Sequence, residues 1–269
     1  MSLVEVLASI EFGSFLFWYF FTIVGLFGVC IGSFLNVLVF RIPKEEEFVK
    51  TSSHCQSCNH VLKWYDNIPL LSYILLRGKC RYCKAHISIQ YPIVEGVNAL
   101  LWLCIYLKYG VSLETLIYCL LTSSLLALSI IDERYFRIPN QFNIFNGCLG
   151  VVMCIASIMQ GNNGASHFIG MFSISSFLML LYFITGGKGI GAGDIKLMMT
   201  CGLVVGWKMI VIGFLLGCIL AIIIHVIRMK VSNKTHKLAF GPYLSMGVFL
   251  SMFIGEFLMN LYLSMLGVV

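Results

Sequence analysis

Charged residues make up only 11% of the 269-residue chain, where a soluble domain carries about a quarter. That shortage, with 59% hydrophobic residues, excludes a soluble globular enzyme, a disordered chain and a small disulfide scaffold. The composition is that of a polytopic membrane protein. A basic n-region is also missing. Glu5 and Glu11 stand where it would be, and the first apolar run is too long for an h-region, so no cleaved signal peptide is expected. Residues 12–40 contain no charge, enough to cross a bilayer that needs roughly 20 apolar residues. Further candidate spans are 93–107, 113–131, 140–160, 167–186, 195–207, 209–227 and 239–264. The second and sixth are the weakest: Glu95 sits near the start of one, and the other is short and glycine-rich. The turn in the uncharged stretch Ile138 to Gly187 is expected at Gly161-Asn162-Asn163-Gly164.

The expected fold is therefore all-α: a polytopic membrane protein of about eight transmembrane helices with a small cytoplasmic zinc-binding loop. Its segments are a first transmembrane helix over 1–40, a tetracysteine loop over 41–92 and a transmembrane core over 93–269. With both termini outside, every basic residue but Lys108 and Lys208 falls in or beside an inner loop, as the positive-inside rule requires. The net charge of +6 is then a topology signal facing a lipid bilayer, and no nucleic-acid partner is needed to explain it.

Seven of the eleven cysteines are scattered singly through apolar stretches, as small buried hydrophobes usually are. The other four form Cys55-Gln56-Ser57-Cys58 and Cys80-Arg81-Tyr82-Cys83. Two C-x-x-C knuckles suit a tetrahedral zinc, although the gap between them slightly exceeds the usual zinc-ribbon spacing. A redox pair or unliganded thiols are the alternatives; a reducing cytoplasm disfavours disulfides. His54 and His60 flank the first pair as substitute ligands or as solvated loop residues. Gly78-Lys79 reads as a knuckle turn, Tyr65–Pro69 as a turn, and Leu70–Leu76 as an apolar run too short to span, suited to the membrane surface. A loop this small commonly needs a staple for stability.

Aspartate is rare in membrane sequence and invites a functional reading. Asp132 closes the apolar run Leu125–Ile131, and Asp194 ends Gly189-Ile190-Gly191-Ala192-Gly193-Asp194. Topology puts both at one membrane face. Two carboxylates that meet there can share a proton, one acting as base on water and the other as acid toward a scissile carbonyl. The blander readings are an Asp132 paired with Arg134 or Arg137 and an Asp194 that caps a helix. The alternating glycines, Gly191 and Gly193 among them, leave room for a substrate backbone to approach. They lack the spacing and preceding strand of a dinucleotide fingerprint.

Together these motifs resemble the bacterial type IV prepilin peptidases. Gly32-Ser33-Phe34-Leu35-Asn36-Val37 is similar to that family's N-terminal signature. Asn67–Ser72, Ile87-Ser88 and Tyr91-Pro92-Ile93-Val94-Glu95, around the cysteine pairs, are similar to its soluble domain. Asp132 with Ile138-Pro139, the glycine run ending at Asp194, and Phe240-Gly241-Pro242-Tyr243 complete the set in order. Asn140 stands where an acidic residue is more usual. The resemblance implies an enzyme of the bacterial inner membrane, working on prepilins or pseudopilins. It would cleave their leader on the cytoplasmic side with Asp132 and Asp194, then N-methylate the new terminus from S-adenosylmethionine. Gly191 and Gly193 would contact substrate, and Cys55, Cys58, Cys80 and Cys83 would hold a structural zinc. No residue pattern for methyl transfer stands out; Glu95, Asn36 and the cysteine loop are candidate contributors with structural roles as rivals. A secondary transporter would more often hold its charges at the midplane. A zinc-bearing adaptor would leave the glycine–aspartate run unexplained.

Overall fold

The computed structural model describes residues 13–47, 53–162, 164–231 and 238–267. Readings that involve Glu5, Glu11, Lys50, Asn163, Lys234 and Lys237 lie outside them. Among the described residues the chain forms α1 (Phe15–Arg41), α2 (Leu71–Leu75), α3 (Gln90–Tyr109), α4 (Leu113–Tyr135), α5 (Asn140–Met159), α6 (Ala165–Ile184), α7 (Ala192–Val205), α8 (Trp207–Val231) and α9 (Gly241–Met265). No strand is present among them; two isolated antiparallel bridges join His54 to Val61 and Lys79 to His86. The chain divides into two compact units, Met1–Ser123 and Ser124–Val269.

Among the described residues six helices are long and apolar enough to cross a membrane: α1, α4, α5, α6, α8 and α9. The remaining two expected spans, 93–107 and 195–207, are also helical but of another character. α3 carries Gln90, Glu95, Asn98 and Lys108 among its apolar residues. α7 has 14 residues, about 21 Å of rise against a hydrocarbon core of about 30 Å. Its apolar residues serve protein rather than lipid: Leu197, Met198, Cys201 and Val204 are wholly buried. In contrast, only 22% of the most apolar window of α6, and the same share of α8, is buried. Phe168, Phe172, Ile219 and Ile222 lie on that exposed surface, which suits contact with lipid.

In the first unit α1 and α3 approach backbone to backbone. A side chain at Gly28 would fall 2.8 Å from the Ala99 Cα, and one at Gly32 would fall 2.7 Å from the Glu95 Cα. This is the small-residue spacing that lets membrane helices touch. Asn98 exploits the closeness by donating to the Gly28 carbonyl (2.7 Å). It accepts from the Ser123 hydroxyl (2.8 Å), which itself accepts from the Trp102 indole (2.8 Å). Every link is buried and paired, as polar groups away from water must be.

In the second unit α7 is the hub. α6 lies so close that Gly170 and Gly202 each face the other's carbonyl with no room for a Cβ. α5 runs parallel to α7, with Lys196 donating to Asn140 Oδ1 (3.0 Å), Gly147 beside Thr200 and Gly150 beside Leu203. α8 and α9 run antiparallel, Gly213 and Gly217 packing on Gly247 and Leu244.

Candidate functional site

Asp132 stands in the last turn of α4 and is buried, at 6% exposure. The helix stops just past it, where Phe136 turns left-handed (φ +52°) and returns its N–H to the Asp132 carbonyl at 2.8 Å. The carboxylate accepts from the Gly241 N–H at 2.9 Å. Gly241 opens α9 and Pro242 follows it, so Asp132 satisfies an orphan donor of a helix N-terminus and meets the positive end of its dipole. A Cβ at Gly241 would sit 2.8 Å from Asp132 Oδ2, which explains a glycine there. Sequence reasoning quoted the Phe240–Tyr243 motif without giving it a role. The available signal was a Gly-Pro pair at a helix start, where a free N–H precedes a residue that has none.

Asp194 occupies the third residue of α7, behind an extended Gly191 cap. Its carboxylate turns back to the Gly191 backbone, the reciprocal half of a capping box. Asp194 thus supports the cap from inside the helix, with Gly191 itself at the cap position, and capping alone does not describe the group. A helix start and an N–H partner favour ionisation. Burial, followed by the charge of Asp132, outweighs them and pushes Asp194 up to about 7. The charge of Asp132 is therefore felt at Asp194, and the two stand at the ends of two helices of one unit. Gly191 leaves room for the Asp194 carboxylate, 3.0 Å from where its Cβ would be, and Gly193 seats against Ile138. That contact links the glycine run to the Ile138-Pro139 motif. Asn140 accepts from Lys196, a partner that an acidic residue would meet as an ion pair. Beside Asp132, Glu133 pairs with Arg228 at 3.2 Å on the surface.

The second constellation lies in the first unit. The sulfurs of Cys55, Cys58, Cys80 and Cys83 all lie within 4.8 Å of one another, with Cys55 and Cys83 3.8 Å apart. A tetrahedron with metal–sulfur bonds of about 2.3 Å has edges of about 3.8 Å, so the cluster is of a size that grips a metal. The two knuckles repeat each other. Asn59 N–H bonds to the Cys55 carbonyl and Lys84 N–H to that of Cys80; Cys55 N–H bonds to His60 and Cys80 N–H to Ala85. Asn59 and Lys84 are both left-handed. The bridges His54–Val61 and Lys79–His86 close the two turns at equivalent positions. Sequence reasoning missed this doubling; two C-x-x-C pairs at matching distances from their neighbours were its signal. Backbone N–H groups of Cys58 and Ser57 push the Cys55 thiol down to about 6, while against a backbone N–H at His60 burial and the Cys83 and Cys55 sulfurs push Cys58 up to about 11. His60 is no member of the cluster; its ring lies against Tyr82 at a tilt of 36°. Gly78 takes the left-handed turn expected of it, φ +67°. Arg81, between the second pair, clamps buried Asp66 at 2.7 Å and lies over Tyr65.

The family model of the bacterial peptidase A24 N-terminal domain matches residues 26–109, and that of the type IV leader peptidase family matches 119–226. A Pseudomonas putida prepilin leader peptidase/N-methyltransferase is 32% identical over 264 residues, covering 88% of this chain and 92% of the relative. Its Pseudomonas aeruginosa counterpart is 32% identical over 90% and 93%, and that of Aeromonas hydrophila 30% over 92% and 95%. No solved structure matches. Six helices fit to cross a membrane, a four-cysteine cluster and a pair of coupled carboxylates agree with full-length likeness to these relatives, and the chain belongs to the type IV leader peptidase family.

Proposed function

We propose that the chain is a bifunctional processing enzyme of the bacterial inner membrane. It removes the leader of type IV prepilins or pseudopilins and N-methylates the residue so exposed. The observation that supports cleavage is that two carboxylates stand at helix ends of one unit, with the charge of Asp132 helping burial to push Asp194 up to about 7, which suits a pair that shares one proton. The ionised member draws a proton from water as the water attacks the scissile carbonyl, and the protonated member donates toward the developing oxyanion. Water's oxygen ends on the carbonyl carbon, and the leaving amine takes up a proton. Both groups stand at helix ends, which argues against a transporter with a midplane site. Gly191 and Gly193, exposed and half-buried beside Asp194, serve as the approach for the substrate backbone.

Zinc, structural in role, is the metal proposed for the four thiolates, whose size and tetrahedral demand it meets without geometric preference of its own. S-adenosylmethionine is the proposed methyl donor. The distribution of basic residues supports a cytoplasmic location for loop 41–92 and for the aspartate-bearing helix ends. α2, with exposed Leu71, Ile74 and Leu75, then lies along the membrane surface. Purified protein in micelles, given a prepilin and the donor, should yield a shortened product whose mass reports cleavage position and methylation together. A substrate left intact across a panel of prepilins and pseudopilins overturns the reading.

A further inference from the structure

The proposed methyl transfer has no residue assigned to it above, and the first unit holds a cavity that suits the step. A half-open cavity of about 620 Å³ lies between the last turns of α1, the cysteine loop and the first turns of α3, within the range of small-molecule sites. Two motifs from the sequence meet on its wall. Gly32 lets α3 approach α1, and one turn later Asn36, 4% exposed, faces the start of α3. Its Nδ2 donates to the carbonyls of Tyr91 (3.1 Å) and Gly32 (3.4 Å). Only an amide nitrogen can serve two carbonyls, so the other end is the oxygen. Oδ1 is buried without a partner on a residue that lines the cavity.

Glu95, 5% exposed, lines the same cavity. It accepts from the Leu70 N–H at 2.7 Å and from Ser33. Among the described residues no cationic side chain pairs with it. Arg41 and Arg81 also line the cavity, but Arg81 is held by Asp66 and Arg41 donates to the Glu47 carbonyl; the buried Glu95 carboxylate and the unused Asn36 amide oxygen are acceptors that suit a cation rich in N–H donors. An ammonium offers three. Both residues lie one to two turns inside their helices. Gln56 and Ser57 line the loop side, where a soluble donor would enter.

Building on the bifunctional reading, we propose that this cavity receives the new N-terminal amine for methylation, with Asn36 Oδ1 and Glu95 holding the amine and Glu95 taking its proton. An α-ammonium, with a pKa of about 7.7–8.0, must lose a proton before it can react. That proton passes to the Glu95 carboxylate. The nitrogen lone pair then forms the N–C bond to the methyl group as the donor's S–C bond breaks, its electron pair staying on sulfur and cancelling the sulfonium charge. Glu95 returns its proton to solvent.

The rival is a mere clamp, because Glu95 also fastens Leu70, whose backbone is left-handed at φ +58°. Two variants separate the readings. Glu95→Gln keeps an acceptor for Leu70 but loses the charge; Glu95→Asp keeps the charge on a shorter stem. The assay is methyl transfer to a synthetic peptide bearing an already mature N-terminus, with binding of that peptide and of its N-acetylated form measured by titration. We expect Glu95→Gln to lose about 10²-fold or more in transfer, Glu95→Asp to recover part, and the preference for the free amine over the acetylated peptide to vanish in Glu95→Gln. Metal content and leader cleavage should persist. The opposite order, with Gln active and Asp inactive, or loss of metal and cleavage together with transfer, would make Glu95 a clamp and overturn the proposal. Wild-type protein that cleaves prepilin but methylates no mature peptide would instead overturn the bifunctional reading.

Discussion

The cysteine loop and the helical hub around α7 achieve their order by opposite means. Of the six non-glycine residues with positive φ among the described residues, five lie between Glu45 and Lys84 and only Phe136 lies elsewhere. The loop is a chain of tight turns with little apolar core, in which the sulfur cluster and the Asp66–Arg81 clamp take the place of packing. Around the hub the left-handed turns fall mainly to glycines, at Gly161, Gly186, Gly187 and Gly206. The hub's order comes from glycine-to-backbone contacts, Gly170 on Gly202 and Gly213 on Gly247, where dispersion over touching helices replaces a ligand. The difference teaches where each half is vulnerable. The loop should fail when its ligands are removed, and the hub when a side chain is added.

The largest effect is expected at the coupled carboxylates, which connect the hub to chemistry. Asp132→Asn and Asp194→Asn should each lower cleavage by about 10²–10⁴-fold while the protein stays folded in micelles. Activity should also decline as pH rises through about 7, because the proton held near Asp194 is lost there and a doubly ionised pair has no acid. A flat profile through that range, or near-normal turnover by either variant, would detach the aspartates from cleavage.

Metal removal comes next. Zinc bound by four thiolates contributes about 10–16 kcal/mol in small zinc peptides at pH 7. A strong chelator, or Cys80→Ser, should therefore open residues 53–87 to protease while α1 and α3 stay protected. A loop equally resistant without metal would show that turns and Asp66–Arg81 suffice. Gly202→Val tests the hub: with no room for a Cβ against Gly170, it should cost about 1–3 kcal/mol or more, read as a fall in melting temperature with metal content unchanged. The smallest effect is expected at Glu133–Arg228, about half exposed on each side. Glu133→Gln should change stability by less than about 1 kcal/mol. A larger loss would give the pair a part in holding α4 against α8.

Much of this was legible before folding. The four-cysteine cluster announced itself because four cysteines in two short knuckles have few other uses in a membrane protein. The aspartates did so because charge is scarce around them. What stayed hidden depends on partners distant in sequence. That α7 packs its apolar residues on protein was hidden because Leu197 and Met198 are equally apolar whether they meet lipid or protein; its shortness and its glycines were the only hints. Gly241 donates to Asp132 across more than a hundred positions. The meeting of Asn36 with Tyr91 needs the α1–α3 crossing that Gly28 and Gly32 permit. The orphan oxygen of Asn36 is visible only once every neighbour has been placed.

The measurement that bears most directly on the account is a two-reaction assay on one preparation of Asp194→Asn, scoring leader cleavage of a prepilin and methyl transfer to a peptide supplied already mature. Cleavage needs a carboxylate pair that moves protons. Methyl transfer, placed at the cavity in the first unit, relies on holding amine and donor in line and needs no group from α7. The account predicts that cleavage is lost and methylation retained near the wild-type rate. Joint loss of both reactions, in protein that keeps its metal and its melting temperature, would mean that one site serves both and would contradict the division of labour drawn here.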